Sequence, residues 1–206
     1  MTERERRVVS VPVEAREDGD EPRVLSGYAA LYAQETVISG AFREVIRPGA
    51  FRSALTRGDD VRALFNHDPN VVLGRTAAGT LSLIEDERGL RYTVTLPDTQ
   101  AGRDLWVSVK RGDITQSSFA FSVEPGDDDW PPQARGELPL RIVLDVRLYD
   151  VSPVTYPAYG DTSVAARSAM AMAAACTQHP DTVVDWRARL ETYAAELATV
   201  YAGWRR

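Results

Sequence analysis

Histidine is scarce in this chain. There are two, His67 and His179, so any chemistry that needs a base near neutral pH has to use one of them. His179 precedes Pro180 between two helix-like stretches and reads as an exposed interhelical residue. His67 follows the apolar run Val61–Phe65 and Asn66, and precedes Asp68-Pro69. That places it at the end of a buried strand where a turn opens the backbone, a position from which a rigid sheet can present a reactive side chain. Alone, a histidine there is more often structural. The stretch Gln116–Ser122 offers a partner. With the two-residue period of a strand, Ser117 shares a face with Phe119, Phe121 and Val123, while Ser118 shares one with the small Ala120 and Ser122. Ser118 is therefore expected to be the more accessible hydroxyl. A third stretch, Leu140–Val151, supplies an acid. Read as one strand, it puts Ile142, Leu144, Val146, Leu148 and Asp150 on one face, with Asp145 opposite them beside Arg147 as a solvated charge. A carboxylate on an apolar face needs a partner. A histidine would serve, and so would local backbone near Ser152 and Pro153. Serine, imidazole and carboxylate together are the parts of nucleophilic acyl transfer.

The elements that must position these groups fall into two regimes. From about Val8 to Pro157 the chain alternates short strands with turns. The strands predicted are Val8–Val13, Val24–Tyr32, Val61–Phe65, Val71–Arg75, Leu81–Ile84, Leu90–Leu96, Ser117–Val123 and Leu140–Val151, a spacing that favours a barrel or sandwich. Two helices interrupt them: Gly49–Arg57, and Thr99–Lys110 with Leu105, Trp106 and Val109 as its apolar stripe and Gly112 as its stop. Residues 124–139, with three aspartates, Trp130 and Pro131-Pro132, form a long loop, a length that suits a functional excursion. From Thr162 the composition turns to alanine, and two helices are predicted, Thr162–Thr177 and Val183–Tyr201. The stripe Trp186, Leu190, Tyr193, Leu197 and Val200 on the second must be buried somewhere.

Composition narrows the functional classes. The 206 residues suit one globular domain with an appendage, and a hydrophobic fraction of 44% is ample for one core. A net charge of −6 argues against a nucleic-acid surface. The acidic runs Glu17–Glu21 and Asp127–Asp129 read as solvated loops. The single cysteine, Cys176, cannot form an internal disulfide and packs best as a small residue in an alanine-rich helix. No apolar run reaches the roughly 20 residues of a spanning helix, and no secretory signal follows the charged N-terminus, so a cytoplasmic location with no membrane contact is expected. One useful histidine and one tail cysteine do not make a zinc set; no metal and no cofactor are expected.

The ordered set Gly27-Tyr28-Ala29, Phe42-x-Glu44-x-Ile46-x-Pro48-Gly49-Ala50-Phe51, Phe65-Asn66-His67-Asp68, Leu73-Gly74-Arg75, Ser118-Phe119-Ala120-Phe121 and Asp150–Tyr159 resembles the prohead maturation proteases of tailed phages. The resemblance runs from about Ser26 to Arg167. It implies a mainly β fold with flanking helices, a closed β-barrel like that of the herpesvirus assembly proteases, followed by a C-terminal helical segment. It also implies serine chemistry, with His67, Ser118 and Asp150 as catalytic residues. The family commonly has Glu at the third position, and Asp150 is one methylene shorter. On this reading residues 1–161 form the protease domain and residues 162–206 a helical tail for targeting, scaffold docking or contact with a second subunit. The implied partners are the major capsid protein and its scaffolding segment, cut inside the procapsid in the bacterial host together with self-cleavage. Backbone N–H groups should hold the oxyanion, with Arg141 and Arg147 as candidate helpers. Two other readings stay open: a non-catalytic capsid-assembly or scaffold-binding module on the same barrel, and an esterase or amidase, which the lack of a Gly-x-Ser-x-Gly elbow disfavours.

Overall fold

The computed structural model describes residues 4–16, 22–134 and 136–156. The expected tail helices, Cys176, His179, the acidic run Glu17–Glu21 and the boundary at residue 161 lie outside the described residues.

In chain order the elements are β1 (Glu5–Val9), β2 (Glu14–Arg16), β3 (Val24–Leu31), β4 (Thr36–Ile38), β5 (Phe42–Ile46), α1 (Arg52–Arg57), β6 (Arg62–Phe65), β7 (Asp68–Arg75), β8 (Leu81–Glu85), β9 (Gly89–Thr95), α2 (Gln100–Arg111), β10 (Gln116–Ser122), β11 (Asp128–Asp129), β12 (Leu140–Val143) and β13 (Arg147–Val154). They form three sheets, ordered β1-β10-β13-β6-β7, β11-β12-β5-β4 and β2-β3-β9-β8. The fold is mainly β with few helices, and no closed barrel is present among the described residues. The three sheets are not joined in one continuous ladder. At one junction Gly74 of β7 lets the second strand pair approach: a Cβ there would sit 2.6 Å from Val94 Cγ2 of β9. At another, Arg7 of β1 reaches Glu44 of β5.

Local chemistry accounts for the helix ends. Thr99 caps α2, its hydroxyl oxygen accepting from Gly102 N–H at 3.2 Å, and Gly112 closes the helix in the left-handed region that favours glycine. Leu105, Trp106 and Val109 are buried, as the stripe predicts. α1 is shorter than the predicted Gly49–Arg57, because residues 48–51 form turns before it.

Three strand expectations change. Val8–Val13 is replaced by the end of β1 and an irregular link, residues 10–13, that leads to β2. β4 and β5 are not in the predicted set: β4 is three residues with two of them exposed, and β5 mixes charges into its apolar pattern because its Glu44 is buried in an ion pair. The single strand Leu140–Val151 is two strands in different sheets, β12 beside β5 and β13 between β10 and β6, with residues 144–146 crossing between them.

The main core fills the space between the first and third sheets. Leu25, Phe51, Leu90, Tyr92, Val94, Phe119 and Phe121 are wholly buried in it. Phe119 stacks on Phe121 at 4.8 Å, and Phe51 meets Phe119 edge-on at 5.6 Å. Each such burial contributes about 1.5–3 kcal/mol, so β10 is firmly held with its phenylalanines inward.

A buried ion network fastens β1 at the edge beside β10. Arg7 bonds Glu44 in a fork, Nε to Oε1 at 2.6 Å and Nη2 to Oε2 at 2.8 Å, and reaches Glu5 at 2.6 Å. Arg141 bonds Glu5 at 2.7 Å, Glu44 at 3.2 Å and Asp128 at 2.8 Å. Burial alone would raise the Glu5 pKa, but Arg141 and Arg7 outweigh it and leave it lowered. Burial would likewise lower Arg7 and Arg141, and the carboxylates reverse this in both. The run Asp127–Asp129 is therefore more than a solvated loop: Asp128 is Arg141's partner and, with Asp129, forms β11 against β12. Among the described residues no helix is long and apolar enough to cross a membrane.

Candidate active site

With Phe119 and Phe121 in the core, strand geometry sends Ser118, Ala120 and Ser122 to the opposite face of β10. The expected division of the two serines holds, but the accessibility argument does not, since both are wholly buried. Ser117 is tied on the inner side to the Tyr92 hydroxyl at 2.8 Å. Burial holds the Tyr92 phenol well above its ordinary pKa, and so protonated. Gly27 leaves room for that ring, which lies 3.3 Å from where a Cβ would be.

β13 runs antiparallel to β10, with Ser152 opposite Ser118, Val151 opposite Phe119 and Asp150 opposite Ala120. The next pair is Leu148 with Phe121, so Tyr149 is the extra residue of a β-bulge. This corrects the parity reading of Asp150. Leu148 is in the core, but the bulge shifts the phase, and Asp150 emerges on the face of Ser118 and Ala120, not on the apolar face. Tyr149 is held on that side by its hydroxyl, 3.0 Å from Ser122 Oγ, and by the Arg4 guanidinium over its ring at 4.1 Å.

His67 arrives from β6. Phe65 pairs with Asp68, and the two residues between them, Asn66 and His67, have φ of 53° and 58°. Two consecutive positive φ values are the mark of a type I′ hairpin turn, where Asn suits the first position and Gly is usual at the second. A histidine in that second place costs about 1–2 kcal/mol, strain of the kind that functional sites store. The turn is latched to the end of β13. Asn66 N–H donates to the Pro153 carbonyl at 3.1 Å, Thr155 N–H donates to Asn66 Oδ1 at 2.8 Å, and Asn66 Nδ2 donates to Thr155 Oγ1 at 3.1 Å. Thus anchored, the imidazole lies over the sheet.

The three side chains meet there. His67 Nδ1 is 2.5 Å from Asp150 Oδ1, and His67 Nε2 is 2.6 Å from Ser118 Oγ. With the proton on Nδ1, the ring donates to the carboxylate and accepts the serine O–H at Nε2, the tautomer that a general base requires. Asp150 and His67 are both nearly fully buried. The shorter acid reaches because the bulge brings its strand position under the ring. Ser152, not singled out from the sequence, joins the group: its hydroxyl donates to Asp150 Oδ1 at 2.9 Å and lies 3.3 Å from His67 Nδ1. Its signal in the sequence was its i, i+2 spacing from Asp150 on one strand face. The expected oxyanion helpers are elsewhere. Arg141 is committed to the buried network and Arg147 is exposed at the start of β13. Among the described residues no group of three or more His, Cys, Asp or Glu side chains is placed to hold a metal.

No curated protein sequence matches the chain. Among solved structures, the fold is similar to the bacteriophage T4 capsid assembly protease, gp21, with a TM-score of 0.50 at 11% sequence identity, covering 73% of this chain and 96% of that one. The sequence profile of the caudovirus prohead serine proteases matches residues 10–175, and the chain belongs to that family.

Proposed function

We propose that this chain is the serine endopeptidase of procapsid maturation, with Ser118 as nucleophile, His67 as general base and Asp150 as the group that orients and charge-balances the imidazole. The observation that carries the reading is the unbroken hydrogen-bonded path Asp150–His67–Ser118, with contacts of 2.5 and 2.6 Å. As Ser118 Oγ attacks a peptide carbonyl carbon, His67 Nε2 takes its proton. The imidazolium, stabilised by Asp150, then protonates the leaving amine, and an acyl ester remains on Ser118. Water, deprotonated by His67, hydrolyses that ester and restores the serine. Ser118 is wholly buried, so this face has to open before a peptide reaches the hydroxyl.

The substrates that fit this family membership are the scaffolding segment of the major capsid protein and the chain itself, cut inside the procapsid in the bacterial host. Self-cleavage is in keeping with the family, and the last described residues lie close to the site, Thr155 being bonded to Asn66 beside His67. Residues 162–206 would serve as the helical tail for targeting, scaffold docking or contact with a second subunit, with residues 1–161 as the protease domain. The test is co-expression with the capsid protein, followed by mass spectrometry of both chains. Ser118→Ala should abolish every cut. Cleavage that persists unchanged in that variant would sink the protease reading and favour a non-catalytic assembly module.

A further inference from the structure

We propose that Ser152 is a positioning residue of the site, a fourth member that sets the carboxylate and, through it, the orientation of His67; this rests on the protease reading above. Ser152 is wholly buried and lies directly across the β10–β13 ladder from Ser118. Its hydroxyl has one acceptor of good geometry, Asp150 Oδ1 at 2.9 Å, and that oxygen also takes the His67 Nδ1 proton at 2.5 Å. Oδ1 therefore receives two donors in a water-poor setting, where hydrogen bonds to a charged group are strongest. Donation from Ser152 draws negative charge toward itself and moderates the pull of Asp150 on the imidazole proton. It also fixes the carboxylate in the one rotamer that meets the ring. The Ser152 oxygen, 3.3 Å from Nδ1, is a secondary acceptor for the imidazolium formed during attack.

Other charged groups on the surrounding strands do not take this role. Asp68 on β7, Arg62 on β6, Arg6 on β1 and Arg147 on β13 are exposed. Asp68 is occupied with Asn70, and Arg62 with Asp60. Ser152 is thus the neutral donor on the path itself, and the spacing Asp150-x-Ser152 on one strand face is what puts it there.

The experiment uses the full chain in two forms. In the active form, Ser152→Ala should lower kcat about tenfold with KM within about twofold, since the carboxylate loses the donor that fixes it under the ring. Ser152→Thr, which keeps the hydroxyl, should restore most of the rate. Ser122→Ala removes a hydroxyl on the same face that bonds Tyr149 instead, and should change neither. The second form carries Ser118→Ala and His179→Gln, so that His67 is the lone histidine and no self-cleavage intervenes. There, the proton resonance of His67 Nδ1–H, which reports the strength of its bond to Asp150, should shift when Ser152 is Ala. A kcat and an Nδ1–H resonance both unmoved by Ser152→Ala in a folded protein would overturn the assignment. Absence of Ser118-dependent cleavage in the parent chain would instead sink the protease reading, while the NMR measurement still tests Ser152.

Discussion

Replacing Asn66 tests whether the hairpin turn is what aims His67. Asn66→Ala removes two hydrogen bonds to Thr155, at 2.8 and 3.1 Å, and leaves the backbone bond to Pro153. Both partners are exposed, so each bond is worth about 0.5–1 kcal/mol. Alanine at a φ of 53° adds about 1 kcal/mol of backbone strain that asparagine tolerates better. The sum is about 2–3 kcal/mol. Asn66→Gly loses the same two bonds but adopts the positive φ freely, and should be about 1 kcal/mol more stable than Asn66→Ala, the reverse of their order within a helix or strand. Urea unfolding of both variants, in a Ser118→Ala background to prevent self-digestion, gives the stabilities. Peptide hydrolysis in the active background gives kcat, which should fall about tenfold in Asn66→Ala because a reactive group must be held within about half an ångström. Two results would refute the reasoning: a stability within 0.5 kcal/mol of the parent, or glycine less stable than alanine at this position.

Arg141→Met leaves Asp128 without its guanidinium and strips one partner from Glu5 and Glu44; loss of about 3–5 kcal/mol is expected in urea unfolding, the usual cost of orphaning buried charge. Acid should weaken the same network. The folded-state pKa of Glu5 is lowered from the usual 4.5 because Arg141 and Arg7 outweigh burial; its contribution is present above that value and is lost as pH falls through the folded one. Glu5→Gln should therefore be destabilising at pH 7, by a margin that shrinks in titrations below about pH 4. Asp127 has the opposite sign: burial, then Asp145 and Glu124, raise its pKa, so its charge opposes folding as pH rises. Asp127→Asn should raise Tm at pH 7 and have little effect at pH 3, as calorimetry at the two values would show.

Much of the site could be read along the chain because strands declare their faces locally. The alternation of Ser118, Ala120 and Ser122 against Phe119 and Phe121 follows from period two and the need to bury the rings. Asn66-His67 between an apolar run and Asp68-Pro69 marks a turn at a strand end. Thr99 and Gly112 bracket α2 because capping is a matter of a few neighbouring residues. What failed were inferences that reach across a partner. The unbroken alternation through Leu140–Val151 concealed a crossing between sheets at residues 144–146 and a bulge at Tyr149, and both depend on which strand lies alongside. Asp150 was thus singled out on the expectation of an apolar face, whereas the register with Ala120 turns it toward His67. Asp128 stands in an acidic run that reads as solvated, and Arg141 reads as a candidate oxyanion helper, since only the tertiary arrangement brings them, with Glu44, to one another and to β1.

Residue types and spacing by themselves determined that one imidazole, one small-faced serine and one strand acid were available, and that the chain is mainly β. The tertiary structure decided that three sheets stand where a closed barrel was expected, that Ser152 touches the carboxylate, and that the serine hydroxyl is buried. The reason is physical: facing and capping are set by covalent neighbours, while register, sheet edges and ion pairing are set by segments tens of residues away.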